Sequence, residues 1–180
     1  MDAATYAATE RLRNGATLQV RALRLDDRAE MLAAVGRFSK QTLYRRFFAP
    51  KRSFSEREIE FFLNVDFVGH VALVAVLSEV GRRVIVGGAR YIVSYPGRAE
   101  VAFAIDDPHQ KLGIATHLIT HLIRIARAAG LEAFIAEVLP ENMPMLKVFE
   151  RCGLAMTTRS ERGVVHVTLA LAGNGATPGV

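Results

Sequence analysis

The chain has 180 residues, enough for one domain with an ordinary core, and 51% of them are apolar although Trp is absent. No run of eighteen apolar residues occurs, so no membrane-spanning helix is expected, and the opening MDAATYAATERLRNG lacks the hydrophobic centre of a signal peptide. The net charge of +5, mostly from scattered arginine, favours anionic ligands, but no aromatic-plus-basic stripe or recognition helix points to nucleic acid.

Residues 1–15 read as a loosely attached N-terminal arm. ATLQVRAL alternates and predicts a strand over about 16–23. Asp26 is placed to cap a helix running to about Val35. SKQTLYRRFF predicts a second helix that stops at Pro50, and Ser55 with Glu58 forms a capping box that opens a third. VALVAVLS is a buried strand, RVIVGGARYIVS the next, and SYPGR a hairpin turn into the strand AEVAFAID at 99–106. A long helix over about 112–129 follows, stopped by Gly130, with Leu118, Leu122, Ile125, Ala126 and Ala129 on one face. EAFIAEVL is a strand, and Met143 to Cys152 a short helix ended by Gly153. Two last strands, about 154–160 and 164–171, pair across 161–163, and the tail 172–180 reads as disordered. With no linker or repeat, the order predicts a single α+β domain with a mixed, largely antiparallel sheet. Cys152 is the only cysteine, which rules out an internal disulfide and fits a reducing cytoplasm.

The stretch DDPHQKLGIATHL carries the chemistry. In the strand before it, Val101, Phe103 and Ile105 point one way, and Glu100, Ala102, Ala104 and Asp106 the other. The second face is small, which leaves room for a ligand. The first turn of the following helix has free backbone N–H groups and a partial positive charge. Gly113 and Ala115 let an anion approach them, as at a phosphate site. A tight strand-to-helix turn with a packing glycine is the plainer alternative.

Gln110-Lys111-Leu112-Gly113-Ile114-Ala115 resembles the Q/R-x-x-G-x-G/A pyrophosphate loop of the GNAT acyltransferases. Asn142, in ENMPMLKVFERCGL, resembles the family's Asn near the start of its last helix, before a closing R-x-G-L/F turn. The likeness spans about residues 16–171. Several segments (YAATERLRNGATLQVRALRLDD, SKQTLYRRFF, VDFVGHVALVAV, RAEVAFAIDDPHQ and ENMPM) are similar to the acetyltransferase module of bacterial Pat-type protein lysine acetyltransferases. That module is often fused to a cyclic-nucleotide or acyl-CoA synthetase-like domain, and neither is visible in these 180 residues. The resemblance implies the GNAT fold, a mixed, mostly antiparallel sheet of about seven strands with about four helices.

The resemblance also implies acetyl-CoA as acyl donor, wedged between the strands at 99–106 and 132–139, with no metal. Its pyrophosphate would sit on the backbone of residues 111–116, namely Lys111, Leu112, Gly113, Ile114, Ala115 and Thr116, beside Gln110. Phe103, Ala104 and Ile105 would face the pantetheine, with a backbone bulge there aiming an N–H at the thioester. Asn142 would bond cofactor or substrate, or simply cap its helix. Glu100 matches the family's catalytic carboxylate and would serve as general base. Many members place Tyr seven residues after the Asn; here the position is Phe149, so the thiolate would leave without a phenolic proton donor. The implied acceptor is an amine, with a protein lysine such as one on an acyl-CoA synthetase as first choice. A small amine, or acyl-CoA binding without catalysis, are the rivals, and monomer and homodimer are both compatible.

Other candidates read as structural. His117 and His121 share a helix face at metal-pair spacing, but no third ligand is apparent, so that face is expected to be solvated. His109 lies where it could touch the cofactor, whereas His70 and His166 are expected to be structural or superficial. Arg45 and Arg46, with Phe47 and Phe48, form a basic-aromatic cluster where the resemblance places the acceptor-binding helices; they read first as exposed cations on a packed helix, with shaping of the acceptor entrance as the alternative, and Cys152 reads as a core thiol.

Overall fold

A computed structural model describes residues 1–51, 53–79 and 81–172. All but Ala172 of the predicted C-terminal tail lies outside the described residues. Eight strands form one sheet in the order β1-β2-β3-β4-β5-β6-β8-β7. They are β1 (Ala7–Arg11), β2 (Thr17–Ala22), β3 (His70–Glu79), β4 (Arg82–Tyr95), β5 (Arg98–Ile105), β6 (Ala133–Val138), β7 (Ala155–Glu161) and β8 (Val164–Ala170). The helices are α1 (Arg28–Gly36), α2 (Lys40–Phe47), α3 (Glu56–Leu63), α4 (Ile114–Ala128) and α5 (Met143–Glu150). Every neighbouring pair is antiparallel except β5–β6, joined by the crossover helix α4. The α+β class therefore stands, with one strand more than the sequence predicts and the five helices read along the chain, one more than the resemblance implies.

β3 reads HVALVAVLSE because both its faces are covered. Val71, Leu73 and Ala75 join the core beneath α4 and α5, whereas Ala72, Val74 and Val76 join a second cluster beneath α1 and α3. The apolar face of α4 places Leu118, Ile119, Leu122, Ile125 and Ala126 in the first core. Truncating one such leucine to alanine costs about 2–5 kcal/mol. α3 starts where the capping box predicts: Ser55 Oγ accepts from Glu58 N–H, and Glu58 Oε2 accepts from Ser55 N–H at 2.9 Å. At α1 the position before the helix is Asp27, not Asp26. Its buried carboxylate accepts two bonds from Arg21 and one from Arg24 N–H, and makes no helix cap.

Residues 7–11, expected within a loose arm, form edge strand β1, paired with β2 from Ala7↔Arg21 to Arg11↔Thr17. AATER has little intrinsic strand preference. It is held from outside: Ala3 and Leu12 enter the core, and the Tyr6 hydroxyl lies 2.6 Å from His121 Nδ1. His121, expected on a solvated face, is instead fully buried, with Nε2 3.1 Å from Glu10 Oε1. Burial is the main cause that holds its imidazole below its ordinary pKa.

Candidate active site

The parallel β5–β6 ladder contains three pairs, Arg98↔Ala133, Ala99↔Phe134 and Glu100↔Ile135. Past Glu100 the strands diverge. β5 runs on beside β4 as far as Ile105, and β6 runs on beside β8 as far as Val138. The β6-facing edge of residues 101–105 therefore has no strand partner, and apart from Ile105 O, which accepts from Gln110, its backbone groups are open to a ligand. Glu100 stands at the apex of this cleft, exposed and without a hydrogen bond or ion pair among the described residues.

The predicted alternation of β5 holds. Val101 lies in the α4-side core, and Phe103 and Ile105 pack against it. Ala102 and Ala104 line a cavity on the opposite face. The Phe149 ring is buried and meets the Phe103 ring edge-on at 5.9 Å, filling the α5 side of the cleft with hydrocarbon. The bulge expected near Phe103 and Ile105 is absent. The irregularities lie in β4, between Ile85 and Gly87 and between Val93 and Tyr95. Gly87 and Gly88 supply the room there: an added Cβ would lie 2.7 Å from Ala104 O at the first and 2.9 Å from Leu73 O at the second.

The far end of β5 is tightly tied. Asp106 is fully buried and accepts from Arg37 Nε at 2.7 Å, with His109 Nδ1 at 2.6 Å. Asp107 accepts from Ser39 N–H and the Thr42 hydroxyl, which hold its carboxyl below the ordinary range although burial opposes them. Gln110 is a brace here: its amide donates to Thr42 Oγ1 at 3.1 Å and to Ile105 O at 3.2 Å. Lys111 and Gly113 then adopt left-handed backbone, with φ of 65° and 91°. The turn leaves the N–H groups of Lys111, Leu112, Gly113, Ile114 and Ala115 without acceptors among the described residues. Thr116 N–H, expected among the open donors, is used within the helix, donating to Gly113 O at 3.0 Å. Five unpaired donors at the head of a fifteen-residue helix fit an anionic diphosphate.

Asn142 precedes α5 but makes no side-chain cap, so its half-buried carboxamide is unpaired among the described residues. Cys152 is half-buried, and burial pushes its thiol up, away from the thiolate a nucleophile needs. No group of three or more metal-ligating side chains occurs among the described residues, and no helix there is long and apolar enough to cross a membrane.

Arg46, expected to be exposed, is half-buried, and burial holds its guanidinium below the ordinary value while the Glu100 charge opposes that shift. Sequence reasoning missed Arg90 beside it. The signal was present: a cation within the apolar run RVIVGGARYIVS.

Residues 39–154 match the family described as "Acetyltransferase (GNAT) family". The chain is 35% identical over 130 residues to acetyltransferase Pat of Mycolicibacterium smegmatis, covering 71% of this chain and 38% of Pat. It thus spans well under half the length of that relative. The crystal structure of the GNAT domain of S. lividans PAT superposes with a TM-score of 0.82 at 34% identity, covering 91% of this chain and 96% of that one. The fold is shared with yncA from Salmonella typhimurium, solved with its cofactor acetyl-CoA, at a TM-score of 0.67 and 16% identity, covering 90% and 98%.

Proposed function

Because the chain belongs to the acetyltransferase (GNAT) family, we propose that it moves the acetyl group of acetyl-CoA to a protein lysine, by direct attack with Glu100 as general base. The carrying observation is the placement of two features along one unpaired strand edge. Glu100 marks the apex of the β5–β6 cleft, and the N–H-rich loop closes its wide end. The five residue steps from Glu100 to Ile105 span about 16 Å at ~3.3 Å each, an extended path for a pantetheine arm.

Acetyl-CoA supplies an activated acyl carbon with a thiolate as leaving group. The backbone N–H groups of Lys111 to Ala115 bind the diphosphate, with the Gln110 side chain holding their loop. The backbone of Phe103, Ala104 and Ile105 borders the arm, and the Asn142 carboxamide offers it a further bond. A lysine amine at pH 7 is neutral in only about one molecule in 2,500. The Glu100 carboxylate takes one proton from the ammonium, directly or through water, the freed nitrogen bonds to the acyl carbon, the carbon–sulfur bond breaks with its electron pair going to sulfur, and the nitrogen's second proton passes to solvent water. Phe149 offers no proton, so the thiolate, derived from a thiol of pKa near ~8.5, leaves as the anion. The raised pKa of Cys152 supports direct transfer over an acyl-enzyme.

A small-molecule amine is the second reading, favoured by the cavity of ≈ 100 Å³ on the Glu100 face of the sheet. Incubation with acetyl-CoA and a purified acyl-CoA synthetase, read by mass spectrometry, tests the first. A new acetyl-lysine that disappears with Glu100→Gln is expected. Release of CoA with small amines only would assign the second reading.

A further inference from the structure

On the side of the sheet away from α4, helices α1, α2 and α3 arch over β3, β4 and β5 around a cavity of ≈ 100 Å³. One water needs only about 10–15 Å³ by that measure. The walls are mostly hydrocarbon, from residues such as Met31, Val35, Phe38 and Phe62, and the floor is cleared by Gly87, Gly88, Ala102 and Ala104. Two guanidinium groups, Arg46 and Arg90, break this lining.

Neither arginine meets a carboxylate among the described residues. Arg90 reaches Phe62 O only at 3.4 Å, lies 3.0 Å from His70 Nε2, and rests 4.8 Å over the Phe62 ring. Burial pushes His70 down to about 4, so it is neutral at pH 7 and no counter-charge. Burial first and Arg46 second push Arg90 down to about 9. Arg46 lies 4.9 Å over the Phe47 ring and makes no hydrogen bond or ion pair among the described residues. By contrast, Lys51 beside them is paired with Glu58. Two half-buried cations face one cavity with no carboxylate between them, an arrangement that an anion joining them would stabilise. A purely structural role accounts for Arg90 under α3, but it leaves the fork of Arg46 unused.

We propose that Arg46 and Arg90 form a carboxylate-binding subsite for the acceptor, which selects a lysine flanked by Asp or Glu. This rests on the protein-lysine reading above. Glu100 faces the same way as Ala102 and Ala104 and is only two residues, about 7 Å, from Ala102. Arg46 also feels the Glu100 charge. An acidic side chain seated on the arginine fork therefore leaves the neighbouring amine beside the base. The planar fork suits a carboxylate as a lysine would not.

The test uses the full chain, with Arg46→Met and Arg46→Lys. Glutarate is titrated by calorimetry, and two lysine peptides that differ only by Glu or Gln beside the lysine are compared as acceptors. Saturable glutarate binding is expected, weakened at least ~10-fold by Arg46→Met and less by Arg46→Lys. The Glu peptide should exceed the Gln peptide in kcat/KM by at least ~10-fold, and Arg46→Met should abolish that preference. Arg46→Met removes an unpaired, half-buried charge, so it should melt no lower than the parent, and Arg46→Lys carries the test if it does. No glutarate binding, binding indifferent to residue 46, or equal rates on the two peptides would overturn the proposal. Arg46-dependent acetylation of free acidic amino acids, with every peptide untouched, would refute the protein-lysine reading and leave the subsite standing.

Discussion

Glu100 faces Ile135 across the last rung of the β5–β6 ladder, and the strands part immediately beyond that pair. The register thus puts a carboxylate at the one point where the sheet turns from closed to open. If that carboxylate is the base, Glu100→Gln removes proton acceptance and little else. Turnover should fall by about 10²–10⁴-fold, with the Kd for acetyl-CoA unchanged. Steady-state rates beside calorimetric binding check this, and near-normal turnover would remove Glu100 from the mechanism.

Gly113 has φ of 91°, and a Cβ there would meet nothing within 4 Å. The demand is therefore conformational rather than steric. Gly113→Val should cost about 1–2 kcal/mol of stability and weaken acetyl-CoA by turning the open N–H groups away. Gly113→Asn, which tolerates left-handed backbone, should retain most of both. Melting curves and cofactor titrations separate the two variants; equal behaviour would sink the backbone argument.

His70 carries a pH dependence whose sign is fixed by burial. Its folded pKa, about 4, lies below the ordinary 6.5, so the unfolded chain binds more protons between those values. Its contribution is present above pH 6.5 and is lost as pH falls toward 4, to the extent of about 2–3 kcal/mol. His70→Gln, which keeps an acceptor for Arg90, should flatten Tm against pH in that window. An unchanged slope would show that other groups set the acid limit.

Tyr6→Phe deletes the hydroxyl that meets His121 Nδ1 at 2.6 Å. The loss should be about 1–3 kcal/mol, since a buried imidazole nitrogen is left unpaired. Amide exchange should accelerate first across Ala7–Arg11, the edge strand next to that contact. Exchange that rises evenly over the whole sheet would show that the bond is not local to β1.

The parts of the molecule legible from sequence are those where periodicity and backbone chemistry act alone. The apolar stripe of α4 from Leu118 to Ala126, the alternation of β5, the Ser55–Glu58 capping box and the glycine loop at 110–115 are local patterns that reappear in place, whereas Ala129, predicted on that stripe, is exposed just past the helix end. The missed features depend on partners distant in sequence. β1 exists because Tyr6 finds a histidine 115 residues away. His121 is hidden for the same reason, although its neighbours on the helix are polar. The amphipathic pattern of α2 does not reveal that Arg46 meets Arg90 of β4 across a cavity. The bulge moved from β5 to β4 because Gly87 and Gly88 sit there, and only the sheet register shows which strand yields.

Thr42 of α2 bonds both Asp107 and Gln110, and Arg37 at the end of α1 reaches Asp106. The loop proposed to grip the donor and the helix that walls the acceptor side are thus fastened by shared bonds. A displacement of α2 by one ligand is felt at the seat of the other. Whatever factor the acceptor applies to donor affinity, the donor must apply to acceptor affinity, so a titration of either ligand with and without its counterpart reads the stiffness of this joint.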